Sequence, residues 1–100
     1  MSATVSTSGN TAHIHLSGDF DFSTQEELNA AFETALSSAA NGIEIDMEEA
    51  TFIDSSVIRI FLKLHEATRK NNKSLAIRNC NEHILEIFSI GGFDKIFDVQ

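Results

Sequence analysis

Ile43-Glu44-Ile45-Asp46-Met47 alternates apolar and acidic side chains, and the chain then passes through Phe52-Ile53-Asp54-Ser55-Ser56 into Val57-Ile58-Arg59-Ile60-Phe61-Leu62-Lys63-Leu64. Alternation at a period of two marks a strand with one buried face. The later run sets Val57, Ile58, Ile60, Phe61, Leu62, Leu64 and Ala67 at helical spacing, a stripe wide enough to be largely buried in a helix from Ser56 to Asn71. Asn71-Asn72 stops that helix, and Ser74 to Asn79 reads as a further strand with Leu75 and Ile77 inward. Two strands joined through a helix of this length run parallel, linked by a right-handed crossover. Glu48 to Asp54 is read as the connection leading into the helix.

Working outward, Thr11 to Ser17 is a second alternating strand, with Ala12, Ile14 and Leu16 opposed to His13, His15 and Ser17. Residues 1–10 form a small polar leader, and the turn signal Ser8-Gly9-Asn10 allows a short first strand, Thr4 to Thr7, to pair with it as a hairpin. Gly18-Asp19-Phe20-Asp21-Phe22 reads as a loop. Ser23 with Glu26 and Thr24 with Glu27 each fit a capping box, opening a helix to about Ala40 whose apolar face is Leu28, Ala31, Phe32, Ala35, Leu36 and Ala39, with Asn41-Gly42 at its end. Asn79 with Glu82 offers another capping box before a helix from Asn81 to Ile90, terminated by Gly91-Gly92. Phe93 to Val99 is a short apolar tail with room for one more strand turn. The expected fold is α/β, a small mixed, mostly parallel sheet. Its strands alternate instead of running continuously apolar, so the helices should lie mainly on one face, with His13, His15, Glu44, Asp46 and Arg78 looking out from the other.

The chain has 100 residues and 42 % apolar content, the size and composition of a single globular domain. No stretch approaches the roughly 18 apolar residues of a membrane span, and the start lacks the basic and apolar blocks of a signal peptide, so a cytoplasmic location is expected. The lone Cys80 can form no internal disulfide and reads as a small packed hydrophobe. A formal charge of −8 argues against nucleic acid, whose binding rests on Lys and Arg. Residues 1–58 hold ten acids and no Lys or Arg, whereas residues 59–100 hold seven bases against five acids. Such asymmetry can orient a partner before contact.

Enzyme signatures are missing. There is no glycine-rich phosphate loop, no nucleophile elbow and no zinc-protease motif. His13 and His15 could present two imidazoles to a metal, but no third ligand stands nearby in sequence, and a solvated strand face explains them better. His65 and His83 belong to helix surfaces or boundaries, and Asp19 and Asp21 serve more naturally in local turn hydrogen bonds than as cation ligands. No catalytic residue, metal ligand or cofactor is expected.

Asp54-Ser55-Ser56 stands apart because two adjacent hydroxyls fall at a helix start following a parallel strand, the end of an α/β sheet where ligands and partners bind. One function of Asp54 or Ser55 there is the N-cap. A phosphate on Ser55 would be tolerated by a helix N-terminus, Arg59 one turn later could pair with it, and it would add about −1.5 to −2 charges.

Phe52-Ile53-Asp54-Ser55-Ser56 ahead of an apolar helix, with Gly18-Asp19-Phe20-Asp21 and Thr24 ahead of the first helix, resembles the STAS domain of bacterial anti-sigma factor antagonists, in motif order and separation over roughly Thr11 to Phe97. The resemblance implies a STAS-type fold and a partner-switching protein, monomeric when free. In that scheme the unphosphorylated form captures an anti-sigma factor, often itself a GHKL-type serine kinase. The kinase phosphorylates it and a PP2C-type phosphatase reverses this. The implied acceptor is Ser55, with Ser56 second, and the implied partner surface comprises Asp19, Asp21, Thr24, Asp54, Ser55, Ser56, Val57 and Arg59. Val57 stands where the family usually has Gly, and the chain stops at Gln100 where many relatives continue into a final helix. The alternative within the family is an accessory subunit of another assembly, such as a lipid-transport ABC system, binding an ATPase without phosphorylation.

Overall fold

In a computed structural model describing Met1–Gln100, the alternating segments become strands β1 (Ser2–Ser8), β2 (Thr11–Phe20), β3 (Gly42–Ile53) and β4 (Ser74–Arg78), with a two-residue β5 (Asp98–Val99). They form one five-stranded sheet in chain order, β1-β2-β3-β4-β5. The β1–β2 hairpin is antiparallel, and every later pair is parallel, with Ile14 opposite Ile45 and Ile45 opposite Ile77. Helices α1 (Gln25–Ser37), α2 (Ser55–Lys70) and α3 (Glu82–Ile90) fill the three crossovers. Right-handed crossovers that all step the same way along a sheet stack their helices on a single face.

That face is the core. Ile14 and Leu16 of β2, Ile43, Ile45 and Met47 of β3, and Ile77 of β4 are buried together with Leu28 and Phe32 of α1, Val57, Phe61 and Leu64 of α2, and Ile84 and Phe88 of α3. Phe61 sits at its centre, with ring centroids 5.7 Å from Phe32, 6.3 Å from Phe88 and 6.4 Å from Phe97.

Several local expectations are corrected. Gly18-Asp19-Phe20 is strand rather than loop, and Glu48 to Ile53 continues β3 rather than connecting it to α2. Both extensions are irregular: the β2–β3 register slips between His15 and Ser17 and again between Gly18 and Asp19. Beyond Met47 only Ala50 and Ile53 are buried, which breaks the period of two. Gly18 has φ +90°, a conformation that favours glycine. The hairpin strand also runs from Ser2, so the polar leader is structured well beyond Thr4–Thr7.

The caps differ too. Neither the Ser23/Glu26 nor the Thr24/Glu27 box forms at α1: a single 3-10 turn, Phe22–Thr24, intervenes, capped by Asp21. α1 stops at Ser37, where the Ser38 hydroxyl donates to the Ala35 carbonyl at 2.7 Å, leaving Ala39 exposed outside the helix. Asn41-Gly42 starts β3 instead, both amides donating to the Asn10 carbonyl. Asn79 takes the left-handed conformation, and Asn81 caps α3 by accepting the Ile84 amide at 2.8 Å.

Candidate functional site

β3 delivers Asp54 to the end of the sheet beside the end of β2, where Phe20 pairs with Ile53 and the Phe20 carbonyl accepts the Asp54 amide at 3.3 Å. Asp54 is extended and caps α2. Its Oδ1 accepts the Ser56 amide at 2.9 Å, the Ser56 hydroxyl at 2.5 Å and the Val57 amide at 3.3 Å. The Ser56 hydroxyl, followed by the Val57, Ser56 and Phe22 amides, holds the Asp54 carboxyl below the usual carboxylate range against a smaller opposing effect of desolvation. The two serines are thereby distinguished. Ser56 is half-buried with its hydroxyl committed to Asp54; Ser55, the first residue of α2, is exposed, and none of the hydrogen bonds at the helix start uses its hydroxyl.

The end of β2 is built alike. Asp21 Oδ1 accepts the Ser23 amide at 2.9 Å and the Ser23 hydroxyl at 2.6 Å, while Thr24 Oγ1 accepts the Asp21 amide at 3.0 Å and donates to the Asp21 carbonyl at 2.8 Å. Thr24 is buried, so it shapes the turn and offers no surface. Exposed Asp19 accepts a hydrogen bond from the Thr51 hydroxyl of β3. Asp21 therefore serves in local turn hydrogen bonds as expected, whereas Asp19, in strand rather than turn, is bonded across to the neighbouring strand. Arg59 is exposed one turn into α2 and belongs to none of the ion pairs of the fold.

Asp19, Asp21, Asp54, Ser55, Ser56 and Arg59 thus gather at one end of the molecule. Val57 does not join them: its side chain is 0 % exposed and packs in the core, so the residue that replaces the family glycine contributes backbone alone to this surface. Phe22 and Phe52, two exposed aromatics at the same end, are absent from the partner surface that the sequence implies, although both lie within the motif segments 18–22 and 52–56. The repeated Asp-x-Ser of Asp21-Phe22-Ser23 and Asp54-Ser55-Ser56 was the available signal for Phe22.

The histidines of β2 lie on the uncovered sheet face. His13 pairs with Glu44 at 3.4 Å and His15 with Asp46 at 3.1 Å, cross-strand contacts that explain both without a metal. Burial works against the Asp46 charge, but hydrogen bonds from Asn79, the Glu48 amide and His15 outweigh it and hold this carboxyl low. His65 is half-buried, edge-on to Phe97, and exposed His83 stacks on Phe52. Cys80 is half-buried, and desolvation pushes its thiol up to about 11, against a smaller opposite effect of Arg78, so it is inert near neutral pH.

A family model described as "Mlab, STAS domain" matches residues 3–98. A STAS-domain containing protein of Pseudomonas aeruginosa is 25 % identical over 100 residues, covering 100 % of this chain and 98 % of its own length. An anti-sigma-B factor antagonist of Listeria monocytogenes is 22 % identical over 87 residues, covering 87 % of this chain and 76 % of its own. Among solved structures, the unphosphorylated form of the anti-sigma factor antagonist SpoIIAA, a Bacillus cell fate determinant, superposes with a TM-score of 0.82 at 20 % identity, covering 99 % of this chain and 88 % of that one.

Proposed function

The chain belongs to the STAS domain family, and from that premise we propose that it is an anti-sigma factor antagonist, a non-catalytic, cytoplasmic binding module switched by phosphorylation of Ser55. Unphosphorylated, it binds an anti-sigma factor that is also a GHKL-type serine kinase and so frees that protein's target. The kinase transfers the γ-phosphoryl group of ATP to Ser55 Oγ, releasing ADP and the hydroxyl proton, and a PP2C-type phosphatase hydrolyses the ester. The observation that carries this reading is the contrast between the two hydroxyls, Ser56 bound to Asp54 and Ser55 unengaged and exposed.

Charge is the natural switch. The amides of Ser56 and Val57, which a phosphate at a helix N-terminus would ordinarily take, already serve Asp54. A phosphate on Ser55 therefore stays at the surface beside a carboxylate, adding about −1.5 to −2 charges, with Arg59 as its nearest prospective counter-ion along the helix. Phosphosite mapping after incubation with the cognate kinase tests the assignment. Modification at Ser55 is expected; modification elsewhere, or none, sinks it.

A second reading is favoured by the description of the matched family model. In it the chain is an accessory subunit of a lipid-transport ABC system and Ser55 is part of a constitutive ATPase contact. Co-purification with a transporter ATPase, unaffected by Ser55→Asp, is the outcome that reading expects.

A further inference from the structure

The turn that displays Ser55 has a twin. In Asp21-Phe22-Ser23 and in Asp54-Ser55-Ser56 the aspartate Oδ1 accepts both the amide and the hydroxyl of the serine two residues on, at 2.9 and 2.6 Å in the first and 2.9 and 2.5 Å in the second. Because β2 and β3 are parallel neighbours ending in the Phe20–Ile53 pair, with the Asp54 amide donating to the Phe20 carbonyl at 3.3 Å, the two turns stand side by side. The middle residue of each turn faces solvent. In one it is Ser55; in the other it is Phe22, 73 % exposed. Of the chain's eight phenylalanines only Phe22 and Phe52 are exposed, and Phe52, stacked on His83 at 6.2 Å, stands two residues before Asp54 of the Ser55 turn.

We propose that Phe22 is an apolar anchor of the partner surface, seated in a pocket of the anti-sigma factor kinase that is rimmed by basic side chains. The inference rests on the reading of Ser55 above. A ring carried on a turn tied down by the hydrogen bonds of Asp21 and Thr24 loses little freedom on docking, the property that concentrates binding energy in a few aromatic residues. Asp19, Asp21 and Asp54, at the adjoining ends of β2 and β3, place negative charge at the same end of the sheet, which complements a basic protein rim and opposes an anionic membrane. The anchor and the acceptor then enter the partner together, so one contact supplies affinity and the other is the point at which it is switched off.

The test titrates wild type, Phe22→Ser, Phe22→Leu and Ile90→Ser against the purified GHKL-type kinase that phosphorylates the wild-type chain. Ile90, 80 % exposed at the far end of α3, controls for loss of any exposed apolar side chain. Phe22→Ser should weaken binding roughly tenfold or more, raising KM for Ser55 phosphorylation with kcat retained. Phe22→Leu should retain most of the affinity and Ile90→Ser all of it. Melting temperatures equal to wild type confirm that the variants fold. Wild-type affinity in Phe22→Ser, or an equal loss in Ile90→Ser, overturns the anchor while leaving Ser55 as acceptor. Binding of the wild type to phosphatidylglycerol vesicles, lost in Phe22→Ser, overturns it in favour of a membrane contact. If no such kinase of the host binds or phosphorylates the wild type, the Ser55 reading itself fails and the anchor with it.

Discussion

One oxygen of Asp54 sets the two serines of the helix start apart. By accepting the Ser56 hydroxyl along with the Ser56 and Val57 amides, it engages Ser56 and leaves the exposed Ser55 hydroxyl outside the hydrogen bonds of the helix start, the contrast on which the proposed acceptor rests. Asp54-Ser55-Ser56 is legible in the sequence as a capped helix start, but the choice between its hydroxyls depends on where Ser56 Oγ points, which composition and spacing do not encode. The same carboxylate gives the fold a pH dependence. Its folded pKa lies below the ordinary 3.8, so the unfolded chain binds the proton more tightly. The stabilisation is therefore present above the unfolded value and lost as pH falls through the folded one. Asp54→Asn keeps a capping oxygen and removes the titration. Urea midpoints measured from about pH 5 down to about pH 2.5 should fall less steeply for Asp54→Asn than for wild type; parallel curves would assign the acid sensitivity to other carboxylates, Asp46 and Asp98 among them.

At the scale of elements, what reads correctly is periodicity and what misreads is its interruption. The strands Thr11 to Ser17 and Ile43 to Met47 and the α2 stripe announce themselves because each buries one face at a constant period. The distal halves of β2 and β3 do not, since the two register slips change which side each residue faces, and Glu48-Glu49 has the look of a surface loop. Cap residues are hard to place from sequence for a related reason. Ser, Thr, Asn and Asp crowd every junction, and Asp21 and Asn81 win over Ser23, Thr24 and Asn79 through tertiary placement that local spacing cannot express. Val57 belongs at this scale. It is a buried member of the first turn of α2, so Val57→Gly removes core contacts and adds the backbone cost of a helical glycine, together about 3 kcal/mol. Urea denaturation checks this; a change within 0.5 kcal/mol or so, typical of surface positions, would mean the side chain is not core.

Across the whole molecule, charge follows the sequence halves. The acids before Arg59 include the Asp19, Asp21 and Asp54 cluster around Ser55, while Arg59, Lys63, Arg69 and Lys70 lie along α2. In the proposed complex a partner approaching the Ser55 end would meet a negative field before Phe22, and such steering is screened over about 8 Å at physiological salt. Raising the salt concentration should slow association with the kinase while changing dissociation little; a salt-independent association rate would remove charge from the encounter. The most direct measurement compares kinase affinity for the chain before and after stoichiometric phosphorylation at Ser55, with Ser55→Ala as an unphosphorylatable control. The predicted result is tight binding by the unmodified chain and by Ser55→Ala, and loss of about tenfold or more on phosphorylation. Equal affinity of the phosphorylated and unphosphorylated chains would contradict the switch.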